Sequence, residues 1–216
     1  MTRWKSRNSA PSGRKRRRTS PSLDEEGRLR AIMEAALRAF ARQGFAQTPV
    51  AEVAAAAGVA SGTVIYHFQT KENLLSVLAW ECLHLLHRRC SLAMAAVAPG
   101  PDRVRAYVNA FFDYLGEEPD RLLLLLKTRP MELARAPSAP GLDIQTLWQS
   151  CRRLLVDGFR EAAEAVSGDP EQMAASLLAH LSGSAWLHLF FAEDLERLRA
   201  SVLQVALFAD ADPGRS

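Results

Sequence analysis

Between Gly58 and Lys71 the chain has no acidic residue, and Ser61, Thr63, Tyr66, His67, Gln69 and Lys71 offer neutral donors with a single cation. Such a set can donate to phosphate oxygens and to base edges without like-charge repulsion, which is the chemistry of nucleic-acid contact. Other chemistries are poorly provided for. His84, His87 and Cys90 follow one another at i, i+3, i+6. At 100° per residue they drift by about 120° around a helix, with no fourth ligand nearby, so no metal site is expected. The three cysteines, Cys82, Cys90 and Cys151, are too few for a disulfide framework and point to a reducing compartment, and Cys82 and Cys90 read as small buried side chains. There is no glycine-rich phosphate loop, no G-x-S-x-G elbow and no H-E-x-x-H. An enzyme reading therefore has no catalytic residues to rest on, and no cofactor is expected.

Helices must hold these donors in place. Ser22-Leu23-Asp24-Glu25 fits a capping box, and Leu29, Ile32, Met33, Ala36, Leu37 and Phe40 recur at helical spacing up to Gly44. Thr48-Pro49 supplies an N-cap and a first-turn proline for a short helix from Val50 to Ala57, which Gly58 ends before a third helix from about Ser61 to Phe68. Two short helices joined by a tight glycine turn are the arrangement that sets a recognition helix in the major groove. Ala54 is small where those helices approach, and Val53, Val59 and Val64 form the core between them. Thr70 caps a fourth helix to about Ala96; the chain then breaks at Pro99-Gly100-Pro101 and again at Ala136 to Gly141. Further helical stripes follow, one of them a Leu-rich helix after Pro119 that is apolar all round and therefore buried. No alternating strand pattern and no internal repeat is present. The expected fold is all-α: an N-terminal three-helix helix-turn-helix domain followed by a larger helical domain. The expected limits are an arm at 1–22, the helix-turn-helix domain at 23–75 and the larger domain at 76–212.

The net charge of +3 conceals a division. Residues 1–22 carry eight basic residues and no acid, while the rest of the chain is −5. With five serines, two prolines and one glycine, that arm is expected to be disordered when free. Arg14, Lys15, Arg16, Arg17 and Arg18 are expected to add DNA affinity; a solvated tail is the plainer reading of the same run. No window approaches the roughly 20 apolar residues of a membrane span, and no apolar signal core opens the chain. A cytoplasmic, nucleoid-associated protein without membrane contact is the expectation.

The run Gly44-Phe45, Thr48, Val53-Ala54, Ala57-Gly58-Val59, Ser61-Gly62-Thr63-Val64, Tyr66-His67-Phe68 and Thr70-Lys71-Glu72-Asn73-Leu74-Leu75 resembles the DNA-binding domain of the TetR-family bacterial transcriptional regulators. The resemblance covers about residues 28–78. It implies a homodimer that binds a near-palindromic operator, most often as a repressor, and is released when a variable helical domain takes up a small molecule. It also implies that Thr48 contacts phosphate, that Ser61, Gly62 and Thr63 lie nearest the bases, and that Tyr66, His67 and Lys71 anchor the backbone. Ile65 stands where the family usually has an aromatic residue; it cannot donate to phosphate and can touch a thymine methyl. Phe68 reads as core, Tyr66 as a surface contact and His67 as either.

For the C-terminal half, Ala175, Ala179, Ser182, Gly183 and Trp186 place small residues and one large anchor along one helix face. Leu195, Leu198, Val202, Val205 and Phe208 form a stripe on the next. These are the expected dimer surface. Tyr107, Phe111, Tyr114, Met131 and Trp148 are the expected lining of an effector pocket, and with no charged cluster among them the effector is expected to be apolar or aromatic. The rival reading within DNA binding is an architectural protein without ligand control, which has no use for some 140 residues of helical domain after the helix-turn-helix.

Overall fold

A computed structural model describes residues 25–128 and 143–208. The basic arm with Arg14 to Arg18, the start of the capping box at Ser22, and Met131 lie outside the described residues. Within them the chain is all-α, as its periodicity requires. The helices are α1 (Glu25–Gln43), α2 (Val50–Ala57), α3 (Ser61–Phe68), α4 (Lys71–Ala95), α5 (Pro101–Glu117), α6 (Pro119–Lys127), α7 (Ile144–Glu161), α8 (Pro170–Phe191) and α9 (Leu195–Phe208).

Local chemistry sets many of these ends. Glu25 and Glu26 oppose the positive end of α1, and Gly44 leaves that helix at φ +91°. Side-chain caps come from Thr70, whose Oγ1 accepts from the Asn73 N–H at 3.1 Å, and from Asp143 and Asp169 at α7 and α8. Each such cap contributes about 1 kcal/mol. Proline opens α5, α6 and α8, where its missing N–H costs nothing. One expected cap is corrected: Pro49, not Thr48, occupies the N-cap of α2, and α2 has no side-chain cap.

Two cores result. Ile32, Ala36 and Phe40 of α1 pack with Val53 and Ala54 of α2, Val64 and Phe68 of α3, and Leu74, Leu75 and Leu78 of α4. A larger core gathers Leu83, Leu86, Cys90 and Met94 of α4 with α5, α7, α8 and α9. The division expected at 75/76 thus falls inside an unbroken helix whose two halves serve different cores. α6 also joins both: Leu124 is buried in the N-terminal core and Leu122 in the C-terminal one, which accounts for a helix apolar on every side. At its end the Lys127 ammonium donates to the carbonyls of Ala41 and Arg42, at 2.6 and 3.2 Å, and so caps α1 from another helix.

The expectation that no window approaches the length of a membrane span is corrected. α8 is long and apolar enough to cross a membrane by length and composition. Leu177, Leu181 and Ala185 bury one of its faces in the larger core, and its exposed residues mix Trp186, Leu187, Phe190 and Phe191 with Gln172, Ser176, His180 and Ser182.

Candidate DNA-reading surface and effector cavity

The α2 and α3 axes meet at 106° across a turn that depends on Gly58. Its φ of +69° is left-handed, and its N–H closes α2 on the Ala54 and Ala55 carbonyls. A Cβ in that conformation costs roughly 1–2 kcal/mol. Val59 adds a 3.0 Å bond to Ala54, and Val64 and Phe68 hold the inner face of α3 in the core.

The outer face of α3 is open. Ser61, Gly62, Ile65, Tyr66 and Gln69 are exposed, Ile65 by 45% and Tyr66 by 79%, while Thr63 and His67 are half-buried. Tyr66 stands away from the core, its ring edge-on to His67 at 5.2 Å. Thr63, Tyr66 and His67 also form one wall of an open groove of about 620 Å³, and Glu25 and Arg28 at the start of α1 form the other. The sequence reading missed these two residues; their signal was position, since they directly follow the basic arm.

Two expected phosphate contacts are redirected inward. Thr48 is fully buried, and its hydroxyl donates to the Gly44 carbonyl at 2.9 Å. The Lys71 ammonium donates to the carbonyls of Phe45 and Thr48, at 2.8 and 3.1 Å, and sits 4.3 Å from the centre of the Phe45 ring. Thr48 ties the α1–α2 loop to itself, and Lys71 staples that loop to the start of α4. The loop turns back on itself between Gly44 and Pro49, and its free carbonyls collect the nearest donors.

In the larger domain a cavity of about 170 Å³ lies between α4, α5, α6, α7 and α8. Tyr107, Phe111 and Trp148 line it, with Leu86, Leu125, Leu126 and Leu181. Tyr114 does not: it is buried elsewhere in the core, and its hydroxyl donates to the Cys82 carbonyl at 2.9 Å. The leucines escaped the sequence reading because a cavity-lining leucine and a packed one have the same periodicity. Cys151, also in the lining, has its thiol pushed up to about 12 by burial, and burial raises Cys82 to about 12 as well. Both are neutral at physiological pH. Among the described residues no group of His, Cys, Asp and Glu could hold a metal ion.

The expected dimer residues divide. Ala175, Ala179, Ser182, Gly183 and Trp186 are all exposed on α8, and Leu187, Phe190 and Phe191 extend the patch. Trp186 packs against both phenylalanine rings, with centroids 5.6 and 4.8 Å apart. The α9 stripe is corrected. Val202 is 3% exposed, and Leu195 and Leu198 pack on the larger core, so that face of α9 covers α5; Val205 is exposed, and the Phe208 side chain lies outside the described residues.

Residues 32–78 match the family model of bacterial regulatory proteins, tetR family. The whole fold is similar to solved regulators. The fatty acid degradation regulator FadR from Bacillus halodurans is 23% identical with a TM-score of 0.70, over 88% of this chain and 97% of that one. AibR in complex with isovaleryl coenzyme A and operator DNA is 20% identical, with a TM-score of 0.68 over 83% and 98%. FadR from Bacillus subtilis in complex with stearoyl-CoA is 20% identical, with a TM-score of 0.70 over 84% and 99%. A glycine-turned helix pair with an open outer face, matched by the family model, identifies residues 32–78 as a tetR-family DNA-binding segment, carried on a fold that the solved regulators share.

Proposed function

We propose that this regulator is a homodimeric repressor that binds a near-palindromic operator and is released by a small molecule taken up in the α4–α8 cavity. Its position is the bacterial cytoplasm, at the DNA. The observation that carries the reading is the double membership of α6. Leu122, Leu125 and Leu126 line the cavity, while Leu124 is buried in the core that supports α3. A molecule that displaces α6 acts on both lobes at once, as effector control requires.

The reading elements are Ser61, Gly62, Thr63, Ile65, Tyr66 and His67 on α3, with the arm residues Arg14 to Arg18 adding phosphate contacts. The dimer forms through the apolar face of α8, from Ala175 to Trp186 and on to Phe191. The effector places an apolar or aromatic group against Tyr107, Phe111 and Trp148. An apolar cavity of ~150 Å³ accepts a molecule about the size of benzene, so the buried part is a small ring or a short acyl group. The acyl-coenzyme A molecules bound by AibR and by the Bacillus subtilis FadR support an apolar acyl group as one such class.

Footprinting the full-length protein on DNA upstream of its own and neighbouring genes, then screening metabolites for release, tests the reading. A protected near-palindrome freed by one apolar compound is the expected result. Binding without site preference would favour an architectural protein, and absence of DNA binding would return the enzyme reading to consideration.

A further inference from the structure

The effector expected from the sequence carries no charge, yet the larger lobe holds a cationic groove. Arg152, Arg153 and Arg160 of α7 line one open space of about 550 Å³, with Glu171 in the first turn of α8 as its one acidic residue. Arg153 and Arg160 stand two turns apart, and Gln149 and Val156 share their face. Three arginines against one carboxylate leave the lining at +2, in a chain whose residues after the arm total −5.

Glu171 serves two of these cations. One of its carboxylate oxygens accepts from the Arg152 guanidinium at 2.8 Å, and the other lies 3.7 Å from that of Arg160. Arg153 has no ion pair, and the Gln149 amide no hydrogen bond, among the described residues. The side chains of Arg152, Arg160 and Glu171 are about half exposed, and exposed pairs of this kind contribute little to stability. Folding therefore does not account for three arginines in one groove. A guanidinium presents a planar fork that matches an oxyanion bidentately. From Arg152 to Arg160 the helix rises by about 12 Å, which suits a ligand with more than one anionic centre. The groove also adjoins the apolar cavity along α7. Trp148, 46% exposed, lines the cavity and stands one turn before Arg152.

We propose that this groove is an anion site that takes the diphosphate group of a small phosphorylated molecule. Glu171 holds Arg152 and Arg160 together in its absence and competes with it. The diphosphate belongs either to a free phosphorylated ligand or to a carrier whose apolar end fills the cavity. Only the regulatory use of the site rests on the effector reading above.

Calorimetric titration of the full-length protein with inorganic pyrophosphate reads the site directly. Arg153→Ala, with an unchanged helical spectrum, is expected to weaken binding about 10-fold. Glu171→Gln is expected to tighten it by up to about 5-fold, because the competing charge is gone; weaker binding in that variant would reduce Glu171 to a structural partner and overturn the competition. Coenzyme A and hexanoyl-coenzyme A then separate the two sources. A gain from the hexanoyl chain that Trp148→Ala removes assigns the diphosphate to a carrier, and equal binding of the two assigns it to a free ligand. Pyrophosphate bound equally by the parent and Arg153→Ala overturns the site, since the anion then lies on the basic arm or elsewhere. No pyrophosphate binding overturns it too, and a changed monomer–dimer balance in Arg153→Ala would then give the groove to a second copy of the chain. Neither failure touches the effector reading, which stands if an uncharged apolar compound releases operator DNA. Pyrophosphate bound at Arg153, with no phosphorylated probe altering operator affinity, keeps the site and overturns its regulatory use.

Discussion

Thr48 and Lys71 are the residues at which side-chain type and side-chain task diverge. Both types suit phosphate, and both lie beside the helix-turn-helix, yet their donors close the α1–α2 loop. Thr48→Val keeps the buried shape and removes the hydroxyl, so the half-buried Gly44 carbonyl loses its 2.9 Å donor. The expected loss is about 1–3 kcal/mol of stability, seen as a lower denaturant midpoint, while the folded fraction keeps its operator affinity. Lower affinity at unchanged stability would instead give Thr48 a direct phosphate contact. The identity and place of Thr48 were legible in the sequence. The direction of its hydroxyl was not, since it depends on which carbonyls a six-residue loop leaves unpaired.

At the scale of elements, patterns were read well and their partners less well. Gly58, Thr70 and the helix limits from α2 to α4 follow from local rules that do not depend on the rest of the chain. α8 and α9 both show apolar stripes, and a stripe has the same spacing whether it meets the chain's own α5 or another copy. The surroundings of the two differ in three dimensions: α9 covers α5, and α8 leaves Trp186, Leu187, Phe190 and Phe191 exposed. Gly183 lies on that outward face with nothing within 4 Å of a Cβ. Gly183→Glu is therefore expected to leave the monomer fold intact and to place two charges in the α8–α8 contact proposed above. Sedimentation should show a monomer at micromolar concentration with an unchanged helical spectrum; an undiminished dimer would move the interface off α8. α4 carries a separate, pH-dependent contribution. Burial, reinforced by the nearby His84, lowers the pKa of His87, and its Nδ1 has no hydrogen-bond partner among the described residues. The unfolded chain thus takes up this proton more readily than the folded one. The stability involved is fully present above the ordinary histidine value of 6.5 and is lost as pH falls through 6.5 towards the lower folded value. Melting temperatures from pH 7.5 to 5 should show the decline, and His87→Gln should flatten it within that window.

At the scale of the whole molecule, the question is what draws a near-neutral reading module to DNA. Residues 23–75 carry five basic and six acidic residues, and Lys71, the one cation between Gly58 and that position, is engaged with carbonyls. The module's contacts are local and directional, suited to choosing a site and weak at long range. The eight positive charges of residues 1–22 directly precede α1, whose first turn borders the groove beside Tyr66 and His67. On the reading proposed above, the arm's charge acts on DNA through counterion release, which adds affinity evenly across sequences. Deleting residues 1–18 should therefore reduce the slope of log affinity against log salt by roughly 4 to 5 units, if the five charges from Arg14 to Arg18 each meet a phosphate. Affinity for operator and for random DNA should fall together, leaving their ratio nearly unchanged. An unaltered salt slope would make the arm a solvated tail. A collapse of the ratio would instead show that the arm reads sequence, and selectivity would then no longer belong to α3 alone.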